Sequence, residues 1–125
     1  MARILLATQD TVLYETLDAE LSGEGHETVW APDGAEALAL ALEEALQAAL
    51  LDRSLPVYPG LTLCAMLRED PDIDRGLPVY VLSDEALEPH AVERAGVTGV
   101  FPKTHEAGAL RELVSAAALW EPAEE

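Results

Sequence analysis

The sequence predicts an α/β protein built on a five-stranded parallel sheet, and three observations support this prediction. Short apolar runs alternate along the chain with longer segments whose apolar residues recur at helical spacing. The connections between them are short and carry turn-forming glycine, proline and aspartate. No segment repeats and none has the composition of a linker. Five such strand–helix units fold as a doubly wound, three-layer sandwich with helices on both faces of the sheet.

The first two units occupy residues 4–34. Residues 4–7 form an apolar run suited to a buried strand, and the polar residues 8–11 can cap the helix that follows. In that helix Leu13, Leu17 and Leu21 recur at helical spacing, and a Ser-Gly-Glu-Gly segment ends it. Residues 26–31 alternate like a second strand, and Asp33 in the next turn is a plausible helix cap.

Residues 35–51 are ambiguous because propensity alone predicts one uninterrupted helix there. Such a helix would leave the chain without the third strand that the alternation requires. We therefore predict a break near Leu46 and a third strand that ends at Asp52, so that tertiary context overrides local propensity.

The remaining units follow without ambiguity. A third helix begins after Gly60, a fourth strand covers residues 77–82 and ends before Ser83, and a helix beginning at Asp84 comes next. Residues 96–104 contain a turn and the fifth strand, and residues 110–119 form the last predicted helix. We predict one domain, residues 1–120, followed by a short acidic tail, residues 121–125.

Charge and composition exclude several classes of function. The chain carries 24 acids against seven bases, a net charge of −17, which repels nucleic acid and anionic membranes and suits a partner with a basic face. No apolar run is long enough to span a bilayer, and Cys64 is the only cysteine, so we expect a cytoplasmic protein without disulfides. The three histidines lack the spacing of metal ligands.

The candidate site centres on Asp52. It ends a strand and precedes a loop held by Pro56, Pro59 and Gly60, which is where open α/β sheets place their chemistry. Lys103 is the single lysine in a chain that uses arginine six times. A lysine suits a point charge that must reach an anion, whereas arginine suits bidentate contacts.

The order of these features resembles the receiver domain of response regulators, the phosphoacceptor module of two-component signalling. The resemblance runs from about Arg3 to Leu119 and implies a flavodoxin-like fold with strand order 2-1-3-4-5. It implies that Asp52 is the phosphoacceptor, that Ser83 is the hydroxyl residue that contacts the phosphoryl group, and that Lys103 is the lysine at the end of the fifth strand. Residues 31–38 resemble the family's second strand-to-helix turn.

One departure from the family concerns the metal. The family has two adjacent acids after the first strand that bind Mg²⁺ together with the phosphoacceptor, and the matching positions here are Thr8 and Gln9. Without these acids we expect no resident cofactor, because Mg²⁺ favours carboxylates, and any weakly bound Mg²⁺ would use Asp52, Asp10 and the Ser54 backbone. We interpret Asp10 as a helix cap in preference to a metal ligand. Because Thr8 and Gln9 carry no charge, no neighbouring carboxylate at these positions repels Asp52, and Asp52 is expected to pair directly with Lys103.

Two further departures concern switching. The family's aromatic position on the fifth strand is Val100, with Phe101 one residue on and facing the other way, and the proline after the lysine is Thr104. A relay from Ser83 to an aromatic residue is therefore not expected. Ser83 is open to two interpretations, a contact to a phosphoryl group or a cap for the helix beginning at Asp84.

Three functions remain open. The first is a divergent, receiver-like interaction module that works without phosphorylation and is not an enzyme. The second is a working phosphoacceptor that takes a phosphoryl group on Asp52 from a histidine kinase. The third is a small flavodoxin-like enzyme or cofactor binder, for which glycine-rich and catalytic motifs are missing. The resemblance implies a protein partner, either a kinase or a downstream signalling protein, and a monomer or weak homodimer that uses helix 4, strand 5 and helix 5.

Overall fold

A computed structural model describes residues 3–103 of the chain. Strands and helices alternate throughout this range. They are β1 (Arg3–Ala7), α1 (Thr11–Gly23), β2 (Glu27–Ala31), α2 (Gly34–Glu43), β3 (Ala48–Asp52), α3 (Gly60–Glu69), β4 (Val79–Leu82), α4 (Pro89–Ala95) and β5 (Gly99–Phe101). The predicted last helix at residues 110–119, the acidic tail, Thr104 and His105 lie outside the described residues.

The five strands form one parallel sheet in the order β2-β1-β3-β4-β5, which confirms the predicted fold class and strand order. The register aligns the carboxyl ends of the strands, because Ala7 pairs with Leu51 and Asp52 pairs with Leu82. Residues that follow β1, β3, β4 and β5 therefore meet at one edge of the sheet. That edge holds the candidate site.

Two apolar clusters cover the two faces of the sheet. On one face, Leu13, Leu17 and Leu21 of α1 pack against side chains of β1, β3 and β4. On the other face, residues of α2, α3 and α4 pack around Leu5, Leu51 and Val79. Every residue of β3 is buried, because the strand lies at the centre of the sheet and is covered on both faces.

The predicted break in the helical segment of residues 35–51, near Leu46, is confirmed. α2 ends at Glu43, and Glu44 is already extended, with φ −108° and ψ 144°. The Gln47 amide then donates to the Arg3 carbonyl, while the Arg3 amide donates to Gln47 Oε1. This pair of bonds sets the register of β3 beside β1 and prevents the helix from continuing.

The predicted start of the fourth helix is wrong. α4 begins at Pro89, not at Asp84, and Glu88 is its N-cap, with a carboxylate that accepts from the amides of His90 and Ala91. Proline is well suited to the first helical position and disfavours helical conformation in the residue before it. Residues 84–88 consequently form a loop, and Ser83 does not cap a helix. β4 is also two residues shorter than predicted at its start.

No helix within residues 3–103 combines the length and the apolar character needed to cross a bilayer.

Candidate functional site

Asp52 lies at the carboxyl end of β3 and is only 4% exposed. Its Oδ2 accepts a hydrogen bond from the Thr8 hydroxyl at 2.8 Å. Its Oδ1 accepts from the Ser54 amide at 2.8 Å and forms an ion pair with Lys103 Nζ at 2.7 Å. Both carboxylate oxygens are therefore engaged by donors from the protein, and the predicted Asp52–Lys103 pair is confirmed.

Thr8 is held in place through each of its polar groups. It is 1% exposed, and its amide donates to the Ala31 carbonyl of β2. Its hydroxyl oxygen accepts from the Asp10 amide while donating to Asp52, and its carbonyl accepts from the indole N–H of Trp30 at 3.0 Å. The hydroxyl oxygen thus accepts one hydrogen bond, from the Asp10 amide, and its proton is directed to Asp52.

Asp10 and Gln9 do not join this group. The Asp10 carboxylate is the N-cap of α1 and accepts from the amides of Val12 and Leu13, which confirms its interpretation as a helix cap. Gln9 is exposed. An N-cap carboxylate satisfies amides that lack a partner within the helix.

Ser83 follows β4, the strand beside β3, and is 6% exposed. Its hydroxyl donates to the Glu85 carbonyl at 2.8 Å and accepts from the Glu85 amide at 3.2 Å. The hydroxyl is thus part of a local turn in the β4–α4 loop.

The β4–α4 loop is tied to the loops on either side of it. Arg53 forms an ion pair with Glu85 at 2.7 Å, which links it to the β3–α3 loop. The Lys103 amide donates to Asp84 Oδ1 at 2.9 Å, which links it to the segment after β5. These two links hold Ser83 and Lys103 in place at the edge of the sheet.

The β3–α3 loop packs against the start of α2. The Pro56 carbonyl accepts from the amides of Gly34 and Tyr58, at 2.8 and 2.9 Å. Between the prolines, Val57 adopts φ +71°, a conformation that is strained for a β-branched residue. A Cβ on Gly34 would lie 2.6 Å from Tyr58, so only glycine permits this approach.

Comparison with known proteins identifies the family. The family model described as the response regulator receiver domain matches residues 4–115. This chain belongs to that family. Receiver domains are signalling modules of two-component systems that interact with histidine kinases and downstream effectors, and they are generally not enzymes.

Individual relatives agree with the family assignment. Response regulator MprA of Mycolicibacterium vanbaalenii is 36% identical over 115 residues, which cover 90% of this chain and 47% of MprA. The receiver therefore spans about half the length of the curated relatives it matches. The structure of chemotaxis response regulator CheY4 of Vibrio cholerae superimposes with a TM-score of 0.85 at 23% identity, covering 94% of this chain and 98% of CheY4.

A third relative was solved with a metal. The receiver domain of sensor histidine kinase PA1611 from Pseudomonas aeruginosa, with a magnesium ion coordinated in its active site cleft, superimposes with a TM-score of 0.80. It is 24% identical, over 92% of this chain and 95% of that domain, so the likeness shows the shared fold.

The residues of this receiver do not fit a magnesium ion at Asp52. Receiver domains typically bind Mg²⁺ at this aspartate. Here Thr8, which follows β1, donates a hydrogen bond to Oδ2 of Asp52, and Lys103 forms an ion pair with Oδ1. Within residues 3–103 no group of three or more histidine, cysteine or acidic side chains could hold a metal. Mg²⁺ prefers carboxylate oxygens, and a hydroxyl that donates its proton to the same carboxylate competes with such coordination.

On β5, Val100 stands at the position that corresponds, by resemblance, to the family's aromatic residue. Val100 is 41% exposed, whereas Phe101 packs edge-to-face on Tyr80 with ring centroids 5.5 Å apart. Phe101 thus contributes to the apolar cluster beside α1. It faces away from Val100, as the alternation of a strand predicts.

Proposed function

We propose that this receiver domain is a protein-interaction module that signals without Mg²⁺ and without phosphorylation of Asp52. One observation carries the proposal: three donors, from Thr8, Ser54 and Lys103, already engage both oxygens of Asp52. These three donors neutralise and stabilise the carboxylate, which makes it a weaker nucleophile toward a phosphoryl group.

The charge balance of the site supports this proposal. Two extra carboxylates about 4 Å from Asp52 would each repel it by about 4 kcal/mol at an effective dielectric near 20. A divalent cation would relieve that repulsion. Thr8 and Gln9 remove both charges, and Lys103 neutralises the one that remains. The site therefore has no excess negative charge for a cation to balance.

The same arrangement opposes phosphoryl transfer. Such transfer depends on positioning and on neutralising charge that develops in the transition state. The Thr8 hydrogen bond draws electron density from Oδ2 within a buried site, which lowers the nucleophilicity of that oxygen. The Ser83 hydroxyl, a contact for a phosphoryl group by resemblance, is bonded to the Glu85 backbone instead.

The proposed partner is a protein of a two-component pathway, either a histidine kinase or a downstream signalling protein. A net charge of −17 favours a partner with a basic face and opposes nucleic acid. By resemblance, the partner or a second copy in a weak homodimer would use the face that includes α4, β5 and the helix predicted at residues 110–119, which lie outside the described residues.

A working phosphoacceptor is the second candidate. The geometry that favours it is the meeting of Asp52, Ser83 and Lys103 at the carboxyl ends of β3, β4 and β5. The magnesium ion in the related PA1611 receiver would then have a counterpart here, coordinated by Asp52 and the Ser54 backbone.

Amide NMR separates the two candidates. Spectra are recorded while Mg²⁺ and then beryllofluoride, a mimic of the phosphoryl group, are added. We expect no saturable shifts of Asp52, Ser83 or Lys103 at low-millimolar Mg²⁺. Saturable shifts that disappear in Asp52→Asn would establish the phosphoacceptor instead.

A gain-of-function variant checks the residue assignments. Thr8→Asp combined with Gln9→Asp restores the acidic pair, and we expect it to bind Mg²⁺ because Asp52 then loses the Thr8 donor and gains two carboxylate neighbours. The triple variant that also carries Asp52→Asn is the control and should lose that binding. If the double variant stays inert to Mg²⁺, Thr8 and Gln9 do not occupy the metal-binding positions.

A further inference from the structure

A groove runs along the outer surface of α3 from the β3–α3 loop to α4. Two clefts of about 430 and 270 Å³ share Leu61 and Thr62 as a common wall. Arg53 lines the first cleft, and Ala65, Ala91 and Arg94 line the second. The middle of the groove is thus apolar, and each end carries a guanidinium group.

The charged residues that line this groove are basic, in contrast to the acidic molecule as a whole. No aspartate or glutamate among residues 3–103 lines either cleft, although the chain has 24 acids and seven bases. By contrast, a third cleft, near the end of α2, is lined by Glu44, Asp72 and Asp74. The groove beside α3 is therefore an apolar and basic site on an acidic surface.

The two arginines are available to a ligand. Arg94 is exposed, donates through Nε to the His90 carbonyl at 3.3 Å, and has no acidic partner among the described residues. Arg53 is paired with Glu85, but the two side chains are 41% and 74% exposed. Exposed ion pairs contribute at most about 1 kcal/mol, so a carboxylate from a partner can replace Glu85 at little cost.

We infer that the α3–α4 groove docks a short peptide segment of a partner protein that carries aliphatic side chains between two carboxylates. The aliphatic side chains would pack on Leu61, Ala65 and Ala91, and the carboxylates would pair with Arg53 and Arg94. Because the rest of the surface is acidic, the partner's acidic residues must be confined to this segment.

This inference deepens the proposed function by naming a docking site and the chemistry of its ligand. It rests on that function only in treating the domain as a protein-binding module. The first cleft borders the Asp52 site, because Ser54 lines it and donates its amide to Asp52. The docking test is followed at Leu61, Thr62, Ala65 and Ala91, and the Mg²⁺ test is followed at Asp52, Ser83 and Lys103, so a failed docking test and a positive Mg²⁺ test are separate results.

Peptide titration followed by amide NMR tests the groove on the full chain. The probe is a blocked hexapeptide, glutamate–leucine–alanine–alanine–leucine–glutamate, and its control has lysine in place of both glutamates. We expect saturable shifts of Leu61, Thr62, Ala65 and Ala91 with the acidic peptide only. A dissociation constant near 1 mM, about −4 kcal/mol, is sufficient for this measurement.

Charge reversal supplies the matched variants. Arg94→Glu should weaken binding of the acidic peptide at least about tenfold, a loss of about 1.4 kcal/mol. Arg75→Glu makes the same charge change on an exposed loop residue outside the groove and should leave binding unchanged. Circular dichroism shows whether both variants remain folded.

Three results would overturn the inference. The first is that the acidic peptide causes no saturable shift at any groove residue. The second is that the lysine peptide binds the groove as tightly as the acidic peptide. The third is that Arg75→Glu weakens binding as much as Arg94→Glu. The last two would indicate nonspecific attraction rather than a built site.

Discussion

Thr8 determines the properties of this site at the scale of single residues, because its hydroxyl donates to the carboxylate of Asp52. The bond joins a buried hydroxyl to a buried carboxylate at 2.8 Å. Hydrogen bonds to charged groups are stronger than neutral ones, and a buried acceptor left without its donor is costly.

Thr8→Val keeps the shape of this side chain and removes the donor. We expect the variant to lose about 2 kcal/mol of stability, because one oxygen of Asp52 is left without its partner. Urea unfolding measures the loss. Thr62→Val is the control, because Thr62 is an exposed residue of α3. We expect this variant to change the free energy of unfolding by no more than about 0.5 kcal/mol. Equal effects in the two variants would show that the Thr8–Asp52 bond does not contribute.

Cys64 provides a pH-dependent contribution. Its side chain is fully buried between α3 and α4, where the thiol donates to the Ala95 carbonyl, and burial raises the pKa of Cys64 to about 11. In the unfolded chain the thiol titrates near pH 9. The contribution of Cys64 is therefore constant below pH 9 and decreases as the pH rises from 9 to 11, because only the unfolded state then loses its proton.

Comparison with Cys64→Ala isolates this effect from that of Tyr80, whose pKa is also raised by burial. The cavity left by the alanine lowers the stability of the variant by the same amount at every pH. The difference in unfolding free energy between wild type and variant should thus shrink by about 2 kcal/mol from pH 8 to pH 10.5. Urea unfolding at the two pH values measures it. If the unfolding free energies of wild type and Cys64→Ala change in parallel with pH, Cys64 does not titrate differently in the folded and unfolded states.

At the scale of elements, the contact between α2 and the β3–α3 loop depends on Gly34. A Cβ at this position would lie within 2.7 Å of three atoms of Tyr58, two of them backbone atoms. We expect Gly34→Ala to cost about 3 kcal/mol, because the loop after Asp52 must move to admit the methyl group.

Gly23→Ala is the matched control for this prediction. No atom lies within 4 Å of a Cβ there, and Gly23 is the last residue of α1. We expect it to stabilise the protein by about 0.5 kcal/mol through helix propensity. Urea unfolding compares the variants. A Gly34→Ala protein as stable as Gly23→Ala would show that the loop is not held against α2.

The sequence was sufficient for elements with strong periodicity. The break before β3 was predictable because an α/β alternation needs a third strand, even though propensity favours a helix through Leu51. The start of α4 was not predicted, because residues 84–88 are as polar as a first helical turn. Pro89 was the available signal, since proline favours the first position of a helix.

Part of the site was predictable as well. The Asp52–Lys103 pair followed from resemblance and from the single lysine. The Thr8–Asp52 bond was missed, although a threonine that follows β1 beside an aspartate that ends β3 was a usable signal. The Arg53–Glu85 pair and the positive φ of Val57 had no such signal, because both depend on how neighbouring loops pack.

At the scale of the whole molecule, the acidic surface contrasts with the neutralised Asp52 site. The chain carries a net charge of −17, yet the carboxylate of Asp52 is balanced by Lys103 and hydrogen-bonded by Thr8 and Ser54. We expect Mg²⁺ to bind this surface only as a diffuse counterion. Specific binding at Asp52 would instead stabilise the native state by mass action.

The decisive measurement is the dependence of the unfolding free energy on the Mg²⁺ concentration. A site with a dissociation constant of about 1 mM would add about 1.8 kcal/mol at about 20 mM Mg²⁺. We predict that the wild-type protein gains no more from Mg²⁺ than from sodium chloride of equal ionic strength. A gain of that size in wild type that is absent from Asp52→Asn would contradict the account.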